Sequence, residues 1–157
     1  RPATAGDSVV VAPDLGAAKL ATAFGRLLDR PVAIIHKTRQ SGHDVLAHHI
    51  FGDVRGRTPF IVDDMISTGA TVAAAIRALL AAGCRPDVTV VATHGVFTAG
   101  AVETLRQLPV SRVVTTDSVA QQGDTDSLCQ RVTLAPLIAA AVTRLDRDVD
   151  TGREALR

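Results

Sequence analysis

Short apolar runs alternate with helical spacings along most of the chain. Runs rich in Val and Ile predict buried strands, and apolar residues three and four positions apart predict helices. Turn residues separate these segments. The predicted elements are a strand at 9–12, a helix at 17–28, strands at 32–35 and 60–62, a helix at 72–82, a strand at 88–92, a helix at 99–108, strands at 113–115 and 132–134, and a helix at 136–145.

Three segments fit this alternation less well. Residues 36–42 are polar and basic and contain glycine, so we predict a mobile loop there. Residues 45–54 predict strand-like pieces, such as one arm of a hairpin. The charged residues 146–157 predict a frayed tail, and we therefore divide the chain into a domain at 1–147 and a charged tail at 148–157.

The order of the elements predicts an α/β fold, with a mostly parallel sheet and helices on both faces. In such sheets, ligands bind beyond the carboxyl ends of the strands. Four polar turns follow predicted strands, at 13–16, 36–41, 63–71 and 94–98. We therefore expect these four turns to meet at one edge of the sheet.

The composition excludes several classes of protein. The 157 residues suffice for one domain with a real core, and because only 3% are aromatic the core must be built from Ala, Val, Leu and Ile. A net charge of +1 without a basic face argues against nucleic-acid binding. No apolar stretch is long enough to span a bilayer and no signal peptide is visible, so we expect a cytoplasmic protein with Cys84 and Cys129 as free thiols.

The turn between the predicted strand at 60–62 and the helix at 72–82 carries the most informative chemistry. Two carboxylates precede a stretch rich in hydroxyls and small residues. The N–H groups of such a turn suit a phosphate, and ionised carboxylates accept hydrogen bonds from sugar hydroxyls. An ordinary helix cap would need only one residue of this kind. We therefore predict a site for a phosphorylated sugar, made of Asp63, Asp64, Ser67, Thr68, Gly69, Ala70 and Thr71.

Two further turns carry weaker signals. Asp14 follows the first predicted strand, where a carboxylate suits Mg²⁺, although an Asp before a helix is more often a cap. Lys37 and Arg39 lie in the predicted loop at 36–42, where two cations suit a polyphosphate. A Lys-x-Arg pair alone is more often part of a solvated surface.

Together these segments resemble the ribose-phosphate diphosphokinases, also called PRPP synthetases, and specifically the C-terminal half of that family. Residues 61–71 are close to the family's Val-Asp-Asp-Met-Ile-Asp-Thr-Gly-Gly-Thr. Residues 12–19 resemble its Pro-Asp-x-Gly turn, and residues 33–39 its Lys-Arg-Arg flexible loop. Further stretches resemble the family in the same order, at 92–97, 115–118 and 135–137.

The resemblance implies a type I phosphoribosyltransferase-like fold and a transferase that moves diphosphate from ATP to ribose 5-phosphate, with Mg²⁺, to make PRPP. It implies that Asp63 and Asp64 bind the ribose hydroxyls and that residues 67–71 hold the 5-phosphate. It further implies that Asp14 meets the metal or the ribose, that Lys37 and Arg39 act in catalysis, and that the protein is a homo-oligomer.

Several departures from the family pattern leave alternatives open. Ser67 stands where the family usually has Asp, and His36 and Thr38 replace further usual residues. The family's N-terminal half, which supplies most ATP contacts, has no counterpart here. Because the chain starts at Arg1 and its only methionine is Met65, we expect a fragment or processed chain. The alternatives are a non-catalytic PRPP synthetase-like regulatory paralogue and a small phosphoribosyltransferase that uses PRPP.

Overall fold

The structure is a computed structural model that describes residues 7–39, 46–98, 100–120 and 128–154. Helices and strands alternate along most of this length. Their bounds are β1 (Ser8–Ala12), α1 (Ala18–Leu28), β2 (Val32–Arg39), β3 (Leu46–Phe51), β4 (Thr58–Ile66), α2 (Ala70–Ala81), β5 (Val88–Gly95), α3 (Ala101–Arg106), β6 (Val110–Thr116), β7 (Cys129–Val132) and α4 (Ala135–Glu154).

The seven strands form one sheet in the order β3-β2-β1-β4-β5-β6-β7. Each neighbouring pair is parallel except β2 and β3, which are antiparallel. Residues 9–12 of β1 are buried throughout, as expected for a central strand whose two faces are both covered. The predicted mostly parallel α/β sheet is confirmed.

The core has a layer on each face of the sheet. On one face, Ile61 of β4 packs with Ile76 and Leu79 of α2 and with Leu105 of α3. On the other face, α1 lies over β1 and β4, with Ala21 among the buried residues. Nearly all of these side chains are aliphatic, so the aliphatic core predicted from the shortage of aromatic residues is confirmed.

The prediction of a mobile loop at 36–42 is wrong for residues 36–39. These residues continue β2 and pair with β3, with Lys37 opposite His48 and Arg39 opposite Leu46. The polar side chains are tolerated because the pairing uses backbone groups. The hairpin arm predicted within 45–54 is confirmed as β3, and residues 40–45 lie outside the described part of the chain.

Three other boundaries differ from the sequence predictions. β4 continues to Ile66 because its pairing with β5 does, so Asp63 and Asp64 lie inside the strand. The last strand occupies 129–132, three residues before the predicted start of 132. α4 continues to Glu154, so the frayed tail predicted at 146–157 is helical at least that far and crosses the boundary that we placed after residue 147.

No helix in the described ranges has both the length and the apolar character needed to cross a membrane. Both cysteines lie in described positions and both are free, as predicted: Cys84 is buried and Cys129 is half-buried.

Candidate sugar-phosphate site

Two strand-end turns enclose a pocket of about 400 Å³ at the carboxyl edge of the sheet. One turn joins β1 to α1 and the other joins β4 to α2. The pocket therefore brings together Asp14 and every residue of the predicted sugar-phosphate segment, although about fifty positions separate them in sequence. Its lining consists of Asp14, Gly16, Ala17, Leu20 and residues 63–72.

The start of α2 presents backbone N–H groups to this pocket. Gly69 is the N-cap residue and has a φ of 75°, a left-handed conformation that favours glycine. The N–H groups of a first helical turn have no partner within the helix. In the described chain, Thr68 Oγ1 accepts from the Ala70 N–H over 3.3 Å, and the N–H groups of Thr71 and Val72 have no acceptor. These groups are suited to an anion.

The three residues after β5 hold the turn between β4 and α2 in place through backbone hydrogen bonds. The carbonyl oxygen of Ile66 accepts hydrogen bonds from the N–H groups of Val96, at 3.0 Å, and Phe97, at 3.1 Å. The carbonyl oxygen of Ser67 accepts from the Thr98 N–H, also at 3.1 Å. The pocket turn is therefore anchored by its neighbour in the sheet. Sequence reasoning missed this function of residues 96–98, since a backbone contact between distant segments leaves no local pattern.

Asp63 has the most perturbed carboxyl group of the pocket. The pKa of Asp63 is raised from 3.8 to about 6, chiefly by burial and also by the negative charges of Asp14 and Asp64, while a hydrogen bond from the Asp64 N–H, at 2.9 Å, lowers it. Three carboxylates thus lie close enough to repel one another. Such a group of like charges favours a ligand that supplies hydroxyl donors or a cation.

Asp14 has a structural function in the turn as well as a place in the pocket. Its Oδ1 accepts hydrogen bonds from the N–H groups of Gly16, at 2.9 Å, and Ala17, at 3.3 Å. These bonds shape the turn that leads into α1, but Asp14 is not the helix cap, because the N-cap residue is Ala17 and no side chain makes a cap hydrogen bond. The other carboxylate oxygen has no hydrogen bond within the described residues.

Of the two cations predicted to act in catalysis, Lys37 does not line the pocket formed by the described residues. Lys37 is half-buried on β2, and the side chain of Arg39 lies outside the described residues. We expected four turns to meet at one edge of the sheet. Three of them do: the turns after β1 and β4 share the pocket, and the turn after β5 anchors it. In the fourth segment, His36 and Lys37 do not line the pocket, and residues 40–41 lie outside the described part of the chain.

His94 makes a hydrogen bond with a residue that follows β6 and does not line the pocket. It lies near the end of β5, outside the pocket, and its Nδ1 is 2.8 Å from Ser118 Oγ. The same hydroxyl lies 2.9 Å from Thr116 Oγ1 and 3.2 Å from the carbonyl oxygen of Thr93. This network ties the ends of β5 and β6 together.

Comparison with known proteins agrees with this geometry. The sequence profile of the phosphoribosyl transferase domain matches residues 3–128. The chain belongs to this family. It is 41% identical to a ribose-phosphate pyrophosphokinase of Streptomyces avermitilis over 142 residues, which are 88% of this chain and 44% of that protein. Pyrophosphokinase and diphosphokinase are two names for the same activity, so the resemblance drawn from the motifs is confirmed.

Solved structures of the phosphoribosyl transferase family share the fold. A phosphoribosylpyrophosphate synthetase from Mycobacterium smegmatis superposes with a TM-score of 0.80 at 33% identity, over 91% of this chain and 46% of that one. An orotate phosphoribosyltransferase from Aeropyrum pernix gives a TM-score of 0.58 at 26% identity, over 71% of this chain and 60% of that one. The chain spans about half the length of the curated relatives that it matches.

Proposed function

We propose that this chain is the ribose 5-phosphate- and PRPP-binding domain of a ribose-phosphate diphosphokinase. The observation that carries the proposal is the pocket itself, in which the carboxylates of Asp63 and Asp64 flank the free N–H groups at the start of α2. A pentose phosphate has the matching chemistry, with an anion at one end and hydroxyl donors along its ring.

Each part of the pocket has a separate task in this proposal. Asp63 and Asp64 accept hydrogen bonds from the ribose hydroxyls, since ionised carboxylates are acceptors only. The hydroxyls and N–H groups of residues 67–71 hold the 5-phosphate. Gly69 keeps the backbone at the helix start in the conformation that directs these N–H groups together. The 1-hydroxyl of the sugar is the group that receives the diphosphate.

The carboxylate oxygens of the pocket are suitable ligands for a Mg²⁺ ion that also binds the substrate. Mg²⁺ prefers oxygen ligands and commonly takes one or two carboxylates together with substrate phosphates. Asp14 and Asp63 supply such carboxylates in one pocket. Among the described residues, no three His, Cys, Asp or Glu side chains are close enough to hold a metal alone. Bound phosphates would therefore complete the site, and the ion would supply neutralising charge.

Diphosphate transfer as a whole needs more than this chain. In the proposed reaction the 1-hydroxyl oxygen of ribose 5-phosphate bonds to the β-phosphorus of ATP, the bond from that phosphorus to the α-phosphate oxygen breaks, and AMP leaves while the hydroxyl proton is lost. Charge spreads over the transferring oxygens, and Lys37 and Arg39 are the cations proposed to stabilise it. The part of the relatives that this chain does not match is proposed to hold ATP.

The free thiols and the shared metabolic family support a cytoplasmic location, and a homo-oligomeric assembly remains part of the proposal. A non-catalytic regulatory function is the second candidate, favoured by Ser67 at the position where the family usually has Asp. Adding the part of the Streptomyces relative that this chain does not match and measuring AMP release separates the two candidates, since only the catalytic form releases AMP.

Calorimetric titration with ribose 5-phosphate, with and without Mg²⁺, tests the site. Replacing both pocket acids, Asp63→Asn with Asp64→Asn, should weaken binding at least tenfold because the ribose hydroxyls lose their charged acceptors. Asp87→Asn is the matched control, since Asp87 is an exposed acid just before β5, outside the pocket. Unchanged affinity in the double variant would show that the assignment is wrong.

A further inference from the structure

Met65 is the one large apolar side chain of the pocket lining, among the described residues, that is exposed. Its exposed fraction is 47%, whereas Ile66 and Val72 are buried and Leu20 is half-buried. Met65 is also the only methionine of the chain, and it directly follows Asp64. An oxidisable sulfur therefore lines the proposed binding site and is accessible to solvent.

The sheet leaves the pocket side of β4 open at Met65. β1 pairs with β4 only as far as Ile61, and the chain after β1 turns away into α1. β4 continues to Ile66 by pairing with β5, with Met65 opposite His94. Beyond Ile61, β5 is thus the only strand in the described part of the chain that pairs with β4. This arrangement holds the backbone of Met65 in a strand and leaves the space on the side of β1 for the pocket.

The other side chains that peroxide oxidises readily lie outside the pocket. The sequence contains no Trp and no Tyr, which leaves the two cysteines. Cys84 is buried, and burial raises the pKa of its thiol, which lowers the fraction of reactive thiolate. Cys129 is half-buried on β7, and its sulfur lies 3.3 Å from the hydroxyl oxygen of Thr115. Neither cysteine lines the pocket, so a direct effect of oxidation there must come from Met65.

Oxidation changes the chemistry of a thioether and leaves the backbone intact. With hydrogen peroxide, a lone pair of the sulfur forms an S–O bond and the O–O bond breaks. The leaving hydroxide takes the remaining proton of the transferred oxygen and becomes water. The sulfur loses two electrons and the peroxide gains them. The product, methionine sulfoxide, is polar, whereas the thioether is apolar and flexible, and methionine sulfoxide reductases reverse the step.

The added oxygen would enter a pocket that is already rich in acceptors. A sulfoxide oxygen only accepts hydrogen bonds, as do the ionised carboxylates of Asp14, Asp63 and Asp64. Met65 and Leu20 supply the accessible apolar surface of the pocket, against which the C–H groups of a sugar can pack. Oxidation of Met65 therefore adds an acceptor where acceptors are plentiful and removes apolar surface where little is available.

We propose that Met65 is a site of reversible oxidation that regulates binding in this pocket: the thioether permits binding of a sugar phosphate, and the sulfoxide weakens it. The inference rests on the proposed function, since the ligand is the one proposed above. Because Met65 is exposed and the pairing of β4 with β5 uses backbone groups, the sulfoxide forms without opening the fold. The oxidised chain is therefore folded and binds less tightly.

The test treats the 157-residue chain with hydrogen peroxide and measures three quantities before and after treatment. These are the mass of the peptide that contains Met65, the Kd for ribose 5-phosphate by calorimetry, and the thermal midpoint. The matched control is Met65→Leu, which has a similar volume, lacks the sulfur and keeps both cysteines. Each protein is compared with itself, so the result is the ratio of its two Kd values and does not depend on the starting affinity of the variant.

The natural chain should gain one oxygen atom at Met65, and its Kd should rise roughly fivefold or more while the thermal midpoint stays within about 2 °C. Incubation with methionine sulfoxide reductases for both sulfoxide epimers should restore the affinity. In Met65→Leu the Kd should change by less than about 1.5-fold on treatment, because leucine is not oxidised. Saturating ribose 5-phosphate should slow the oxidation of Met65 in the natural chain, since the ligand covers it.

Several results would overturn the inference. Complete conversion of Met65 to the sulfoxide without a change in Kd would do so and would leave the proposed function intact. An equal rise in Kd for Met65→Leu would assign the effect to the cysteines. A thermal midpoint that falls together with the affinity would show that oxidation unfolds the chain. Failure of the untreated chain to bind ribose 5-phosphate would instead contradict the proposed function, and the inference with it.

Discussion

The backbone N–H of Thr98 donates a hydrogen bond to the carbonyl oxygen of Ser67 over 3.1 Å. Thr98 belongs to the exit of β5, and Ser67 belongs to the turn that we propose holds the phosphate. Because Ile66 is bonded to the same segment after β5, backbone hydrogen bonds anchor the turn, and the Thr68 hydroxyl adds one by accepting from the Ala70 N–H. A binding turn that is already ordered loses little conformational freedom when its ligand arrives.

Gly69→Ala should reduce both stability and ribose 5-phosphate affinity. An L-residue in the left-handed conformation costs about 1–2 kcal/mol of unfolding free energy, and relief of that strain would move the N–H groups of the pocket. Gly56→Ala is the matched control, since Gly56 has a φ of 68° and open space around it, outside the pocket. Urea unfolding should show similar losses for both variants, and calorimetry a loss of affinity only for Gly69→Ala. Equal affinity losses would contradict the assignment of the phosphate turn.

The affinity for ribose 5-phosphate should fall as the pH is lowered through about 6. The pKa of Asp63 is raised to about 6, so below that pH the group is protonated and no longer a charged acceptor. The phosphate of the ligand titrates in the same range. The measurement is therefore the difference in log Kd between the natural chain and Asp63→Asn, at pH 5 and pH 8. If this difference in log Kd does not change with pH, Asp63 does not contact the ligand as a charged acceptor.

Asp63→Asn should stabilise the folded chain at pH 7.5. Because the pKa of Asp63 is higher in the folded chain than its ordinary 3.8, the folded state favours the protonated form. Its contribution to stability is complete below about 3.8 and is lost as the pH rises through about 6. Removing the charge should regain on the order of 1 kcal/mol at pH 7.5 once screening by solvent is allowed for, and nothing at pH 3.5. Urea unfolding at both pH values, with Asp87→Asn as control, measures this.

Ser67→Asp should make binding depend more strongly on Mg²⁺. The substitution restores the residue type that the related family usually has, and it adds a carboxylate to a pocket that already holds Asp14, Asp63 and Asp64. Without metal, repulsion of the phosphate should weaken ribose 5-phosphate binding several-fold, and with Mg²⁺ the affinity should rise. Ser67→Asn, of the same size but uncharged, should show neither change. Weakening under both conditions would argue against a metal beside residue 67.

Lys37→Ala should leave the ribose 5-phosphate affinity of the chain within about twofold, because Lys37 does not line the pocket. In a chimaera in which this chain replaces the matching segment of the Streptomyces avermitilis relative, the same substitution should lower AMP release at least a hundredfold, as expected for a cation that acts on the transferring phosphoryl group. Lys19→Ala, on an exposed position of α1, is the control. Equal losses of affinity and turnover would show instead that Lys37 contacts the bound substrate before the transfer step.

Local patterns in the sequence are enough to pick out residues that line the pocket, but not to predict all of the fold around it. Residues 63–71 form a contiguous motif, and their chemistry can be read without knowing what packs on them. β2 extends to Arg39 because it pairs with β3. β4 extends through Asp63 and Asp64 because it pairs with β5. Such pairing involves two separate segments, so the local sequence does not reveal it. Near Lys37 the polar composition indicates a loop instead.

The β2–β3 hairpin extends beyond the rest of the sheet and is separate from the pocket. β1 pairs with β2 only as far as Ile34, and in the described part of the chain β3 is the only strand that pairs with the residues from Ile35 to Arg39. Those five residues form a two-stranded arm about 16 Å long, at roughly 3.3 Å per residue. A residue added to each strand would lengthen the arm by one such step without altering the pocket. The length of the arm that carries the proposed catalytic cations and the shape of the proposed sugar-phosphate pocket can therefore change independently in evolution.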